Sequence, residues 1–170
     1  MVDAGCGEGR DTIFLLEKGF RVFALDASPR NISIVLQNPV VAKAPPEMFR
    51  SYVVDLVAEK VPIKDATADA VLDVWVLGSV ILRHDGRSGA KQYLGEAHRI
   101  LKPGGLFVSE FETIKPRRSS DKLKVYFANL VKGRFSVVVS EAIRADYPLY
   151  QEIPSQRKLW PALFVVARKE

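Results

Sequence analysis

The stretch "VDAGCGEGRD", residues 2–11, reads as a short strand, a glycine-rich turn and the first turn of a helix. Glycines at positions 5, 7 and 9 permit tight backbone bends and remove side chains that would block a ligand's approach. In open α/β sheets, ligands bind beyond the carboxyl ends of the strands, at the switch point beside the first one. The turn therefore indicates both a fold and a place to look for a site. A dinucleotide site wants the spacing G-x-G-x-x-G, with the pyrophosphate on the helix N-terminus. Here the spacing is G-x-G-x-G, with Asp3 before it and Glu8 inside it. Two carboxylates would repel a pyrophosphate but suit a ligand carrying an ammonium or sulfonium group.

Outward from this turn, strands and helices alternate. "RDTIFLLEKG" is an expected helix, with Ile13, Leu16 and Phe20 at helical spacing and Gly19 as its cap. "RVFALD" has strand length, and Ser28 followed by Pro29 opens a second helix. "PVVAKAPPEM" reads as a connector and "RSYVVDL" as a third strand, while "DAVLDVWV" reads as a fourth strand buried on both faces. A loop with Gly86 and Gly89 leads to the helix "AKQYLGEAHRIL", stopped by "KPGG", and "LFVSEFE" is the fifth strand. A last helix places Leu123, Phe127 and Leu130 on one face, with Gly133 as its stop. "RFSVVVSEAI" and "ALFVVAR" follow without a clear helix between them, which points to an antiparallel edge pair. The pattern predicts one α/β domain: a Rossmann-like, doubly wound, mostly parallel sheet with an antiparallel C-terminal edge strand.

Composition agrees with a single globular domain. The chain has 170 residues, 48% hydrophobic and 26% charged, and one cysteine, which excludes an intrachain disulfide. No apolar run is long enough for a bilayer and no leader precedes the first strand, so a cytoplasmic location with no membrane role is the expectation. The net charge of +5 is uneven: residues 1–85 sum to −3 and residues 86–170 to +8. A basic half can serve an anionic partner such as nucleic acid, but without interleaved aromatics a solvated surface is the favoured reading.

Asp26 ends the second strand, 17 positions after Gly9, where a carboxylate can accept hydrogen bonds from ribose hydroxyls. At this point "VDAGCGEGRD", "RVFALDAS", "YVVDL", "VPIKDATADAVLDVW" and "HRILKPGGLFVSEF" together resemble class I S-adenosylmethionine-dependent methyltransferases. Residues 7–28 resemble especially the tellurite- and thiopurine-type small-molecule branches. The resemblance implies S-adenosylmethionine as cofactor and a small-molecule acceptor. It assigns Asp3, Ala4, Gly5, Cys6 and Gly7 to the methionine end, Asp26 to the ribose, and Ala27 to the edge of the adenine. Asp55 would meet the adenine amino group and Leu56 its ring, while Asp73 and Val74 close the site from the fourth strand.

Each of these residues also has a plainer reading. Asp55 can be a strand-to-loop acid, Trp75 a core residue, and Cys6 a small residue in a cramped turn. Asp73 is too costly to bury without partners. The catalytic candidates are Asp73, Trp75 and His84, the last a loop histidine within reach of general-base chemistry. Two histidines and one cysteine do not make a metal site. Family members carry helices before the first strand, whereas here only Met1 and Val2 precede Asp3. The expectation is a domain over 1–170 lacking those helices, with an exposed cofactor site, or a numbering that begins at an internal methionine. A homodimer would supply such a cover. RNA or protein as acceptor, and a binding module without turnover, remain alternatives.

Overall fold

The structure is a computed structural model that describes residues 1–83, 86–112, 120–145 and 160–170. Its strands are β1 (Val2–Ala4), β2 (Val22–Asp26), β3 (Phe49–Val53), β4 (Ala68–Val74), β5 (Leu101–Glu112), β6 (Phe135–Ala145) and β7 (Trp160–Lys169). The helices are α1 (Arg10–Glu17), α2 (Pro29–Gln37), α3 (Pro39–Ala42), α4 (Val76–Arg83), α5 (Arg87–Ile100) and α6 (Ser120–Val131).

Local chemistry accounts for most element ends. Gly19, at φ 79°, closes α1, with the Phe20 amide donating to Leu15 O and the Gly19 amide to Leu16 O. This is the paired closure of a Schellman end. The Ser28 hydroxyl accepts from the Asn31 amide and Pro29 occupies the first position of α2. Gly133, at φ 79°, follows α6.

The seven strands form one sheet in the order β3-β2-β1-β4-β5-β7-β6. Pairings from β3 through β5 are parallel, and β7 runs antiparallel to both β5 and β6. The mostly parallel sheet with antiparallel pairing at its C-terminal edge matches expectation; β7 lies between β5 and β6, and β6 is outermost.

Alternation along the strands feeds two cores. Leu25, Val71, Phe107 and Val165 pack with Leu94 and Ile100 of α5 and Leu123 and Phe127 of α6. Ala24 on the opposite face packs with Cys6, Ile32, Val35 and Val41. Helices therefore cover both sides of the sheet, as in a doubly wound architecture.

Four expectations change. The run after β4 is not a loop: Val76–Arg83 is helix α4, and Gly89 lies inside α5. The connector "PVVAKAPPEM" contains a short helix, Pro39–Ala42, capped by the Asn38 side chain accepting from the Val40 amide. "KPGG" does not precede β5 but bulges within it, between the Ala68–Leu101 and Ala70–Leu106 pairings. Ile13 and Leu16 of α1 do pack against the second core, but the buried positions are Thr12 and Leu15, and Phe20, beyond the end of the helix, is 46% exposed.

Candidate functional site

Four parallel strands end side by side, and one cavity of about 430 Å³ lies over those ends. Asp55 and Leu56 follow β3; Asp26 and Ala27 end and follow β2; Gly5 follows β1; Val74 and Trp75 end and follow β4. Asn31, Val54, Val57, Val76, Ser79 and Val80 complete the lining.

The glycine turn has mainly internal duties. A Cβ on Gly5 would stand 2.2 Å from Val76 Cγ2, and one on Gly9 2.8 Å from Val35 Cγ2. Small residues at 5 and 9 thus let the turn pack on α4 and α2. The Gly7 amide donates to Asp26 Oδ2 at 2.8 Å, so the turn and the end of β2 hold each other. Asp26 Oδ1 also accepts from the Ser28 amide at 2.8 Å and from Asn31 Nδ2 at 3.2 Å. A carboxylate offers about four acceptor sites, so three occupied sites leave Asp26 room for one further donor. Asp55 Oδ1 accepts from the Val57 and Ala58 amides, which fixes the loop after β3.

The remaining motif residues do not line the cavity. Asp3 is buried beneath the turn and accepts from the Thr12 hydroxyl; burial pushes its carboxyl up to about 6, and the Thr12 bond opposes this. Ala4 belongs to the core, and Cys6 packs with Ala24, Ile32 and Val35. Burial pushes the Cys6 thiol up to about 12, as in a packing residue rather than a nucleophile. Glu8 turns outward to an exposed ion pair with Arg30 at 3.2 Å, so it supplies no charge to the cavity wall.

Asp73 is fully buried behind the wall. Its Oδ1 accepts from the Val76 amide at 3.1 Å, and both oxygens accept from the Leu77 amide at 3.2 Å. It thereby caps α4 and delivers Val76, Ser79 and Val80 to the cavity. Burial lifts its carboxyl to about 7 despite those bonds. Tyr93 of α5 bears on the same carboxyl, although its hydroxyl makes no hydrogen bond of good geometry. The Ser109 hydroxyl, at the register position beside Asp73, is likewise buried without a partner.

Trp75 has φ +69°, a left-handed conformation unusual for a bulky residue. Glu110, at the end of β5, holds it at two points. Its carbonyl accepts from the Trp75 amide at 2.7 Å and its Oε1 from the indole Nε1–H at 3.2 Å. His84 lies outside the described residues. His98 is half-buried with its ring edge-on to Phe135 at 5.4 Å, a packing role.

A family described as "Methyltransferase domain" matches residues 2–109, more than half of the chain and all the strands that build the cavity. The chain belongs to this family. The methyltransferase domain is 33% identical over 161 residues to a demethylmenaquinone methyltransferase of Tropheryma whipplei, covering 94% of this chain and 59% of the relative. It therefore spans about three-fifths of the length of that curated relative. A solved structure of Burkholderia thailandensis 1,6-didemethyltoxoflavin-N1-methyltransferase, with 1,6-didemethyltoxoflavin and S-adenosylhomocysteine bound, superimposes with a TM-score of 0.68. That pair is 25% identical over 99% of this chain and 69% of the neighbour. A SAM-dependent methyltransferase from Methanosarcina mazei, 15% identical, shares the fold with a TM-score of 0.72 over 99% and 91% of the two chains.

The cofactor of this family, S-adenosylmethionine, fits the donor set. The cavity lies in the volume range of about 300–1,000 Å³ usual for small-molecule sites. Its polar groups stand at the strand ends, and its apolar walls at Leu56, Val74 and Val80 can cover a flat ring. Sequence reading missed Asn31, Val54, Val57, Val76, Ser79, Val80 and the clamp residue Glu110. Of these only Asn31 carried a signal, a polar residue three positions after the Ser28 cap.

Proposed function

We propose that this domain binds S-adenosylmethionine over the ends of β1–β4 and transfers its methyl group to a small-molecule acceptor. One observation carries the reading: the sheet order lays Asp55, Asp26, Gly5 and Trp75 in sequence along one cavity. That order suits a ligand whose base, ribose and sulfonium chain follow one another. In this arrangement Asp55 and Leu56 meet the base, and Asp26 uses its remaining acceptor capacity on the ribose. Asp3 acts from beneath by holding α1 through Thr12 rather than by contact.

Bound there, S-adenosylmethionine supplies a methyl group already activated by a sulfonium. The protein's part is orientation of an acceptor in line and exclusion of water. Val74, Trp75 and Val76 wall the end of the cavity where that orientation is set. No dedicated base is required when the acceptor atom reaches the site already deprotonated.

The likeness of residues 7–28 to small-molecule branches supports a small acceptor, as do relatives named for demethylmenaquinone and 1,6-didemethyltoxoflavin. Demethylmenaquinone is the first acceptor to assay. The basic second half supports RNA or protein as the competing acceptor, and binding to RNA that falls steeply with salt would favour that reading. Calorimetry with S-adenosylmethionine, S-adenosylhomocysteine and NAD tests the cofactor; binding of NAD alone would overturn the proposal. Asp26→Ala is expected to weaken S-adenosylhomocysteine binding about tenfold or more, the scale of a lost charged hydrogen bond in a site. Unchanged affinity would remove Asp26 from the ribose.

A further inference from the structure

Sheet order continues past the cavity: after Asp55 on β3, Asp26 on β2, Gly5 on β1 and Trp75 on β4 comes Glu110 on β5. The far end of the cavity from Asp55 is therefore an indole with a carboxylate behind it. Three features set this pair apart from ordinary packing. Trp75 is held in a left-handed conformation, which persists only where surroundings over-determine it. Glu110 over-determines it, gripping both the backbone amide and the indole N–H. Both residues are half-buried rather than sunk in the core.

The carboxylate also changes what the ring can do. An indole whose N–H donates to an anion carries more negative potential on its faces, and such faces attract cations within about 6 Å. Among the described residues, Arg10 is a cation that bears on Glu110 electrostatically. Arg10 is already held by Asp11 through Nε at 3.0 Å and Nη2 at 2.9 Å, so its charge is balanced there. Across the sheet, Glu110 stands in register between Val74 and Phe164, both half-buried and apolar. Charge is thus concentrated at one point of an otherwise apolar row, where water screens it less.

We propose that Trp75, polarised and clamped by Glu110, reads the positive charge of the bound cofactor and so separates the charged methyl donor from its neutral product. The inference rests on the methyltransferase reading and deepens it. It gives the site a means of releasing S-adenosylhomocysteine once the charge has gone. An electron pair of the acceptor forms a bond to the methyl carbon as the methyl carbon–sulfur bond breaks, that bond's electron pair stays on sulfur, and the sulfonium attraction to the Trp75–Glu110 pair ends. Trp75 contacts the cofactor in this account, and Glu110 is a positioning and polarising residue that acts through it.

The test is calorimetric binding of three probes to the purified chain and its variants. The probes are S-adenosylmethionine, S-adenosylhomocysteine, and sinefungin, which carries a protonated amine in place of the sulfonium methyl. Trp75→Leu is expected to lower affinity for the two cationic probes about tenfold and for S-adenosylhomocysteine less than twofold, with Trp75→Phe between. Glu110→Gln keeps an oxygen to accept the indole N–H but removes the charge. It is expected to give the same selective loss, about threefold, and it carries the test alone should Trp75→Leu not fold. Equal losses for cationic and neutral probes in both variants would overturn the proposal and leave Trp75 a plain wall. Wild-type protein that binds none of the probes would instead overturn the methyltransferase reading itself.

Discussion

At the scale of the residue, Asp73 shows how one side chain can serve the site without touching a ligand. It ends β4, caps α4 through the Val76 and Leu77 amides, and is wholly buried. With its folded-state value raised to about 7 by burial, against an ordinary value near 3.8, the folded protein holds this proton more tightly than the unfolded chain. Asp3, raised to about 6, acts in the same direction. A raised acid contributes stability that is fully present below the unfolded value and is lost as pH rises through the folded one. The melting temperature is therefore expected to fall between about pH 4 and pH 7 on account of these groups. In Asp73→Asn the amide oxygen still accepts from Val76 and Leu77 but cannot ionise. Thermal denaturation from pH 5 to 8 should show a flatter profile for the variant than for wild type. Parallel profiles would mean that Asp73 does not titrate in this range.

At the scale of the element, the segment between β3 and β4 has no regular structure of its own from residue 61 to 65, yet it is anchored. Arg99, near the end of α5, donates to Val61 O and Ile63 O at 2.8 Å and to Asp65 Oδ1 at 2.6 Å. Glu96, which bonds Arg99, also accepts from the Val61 amide at 2.9 Å. One guanidinium thus ties a strand-to-strand connection to a helix, using a planar fork that lysine cannot reproduce. Arg99→Ala is expected to destabilise by about 1–2 kcal/mol, since it removes the donor to the Ile63 carbonyl and one of the two donors to the Val61 carbonyl, the other being the Ile63 amide. Arg99→Lys should recover less than half of that loss. Urea denaturation measures both, and full recovery by lysine would mean that charge alone holds the segment.

The same scale separates what was legible in the sequence from what was not. Elements ending in marked chemistry were readable: the Gly19 closure of α1, the Ser28–Pro29 start of α2, and Leu123, Phe127 and Leu130 facing inward on α6. Helix α4 was not, because "VLGSVIL" continues the apolar run of β4 without a polar break. Short apolar runs do not distinguish strand from helix. What turns the chain is the Asp73 cap and the left-handed Trp75 held by Glu110, a residue 35 positions away. The site divides in the same way. Asp26 was legible because an acid at a strand end stands out, and Asp55 through the resemblance alone, whereas Val54, Val57, Val76 and Val80 look like any core valine until folding places them.

At the scale of the whole molecule, strand order builds the cavity; the local motifs mark residues but do not show how they are brought together. Placing β7 between β5 and β6 is a non-local choice, as is setting the ends of β3, β2, β1 and β4 beside one another. The cavity is consequently a property of the complete sheet: its lining runs from Gly5 to Val80, and the two cores on opposite faces share the strands that carry it. Loosening either core misaligns the lining, so a ligand of this cavity should stabilise the domain as one unit. At one hundred times its dissociation constant, S-adenosylhomocysteine adds about 2.7 kcal/mol to the folded state. For a chain of this size that corresponds to a rise in melting temperature of roughly 5–10 °C. Far-ultraviolet circular dichroism follows the backbone and near-ultraviolet follows aromatic packing. Both should report a single transition that shifts by the same amount. A shift in the near-ultraviolet transition alone would show that the cavity forms and dissolves apart from the sheet, contrary to an origin in strand order.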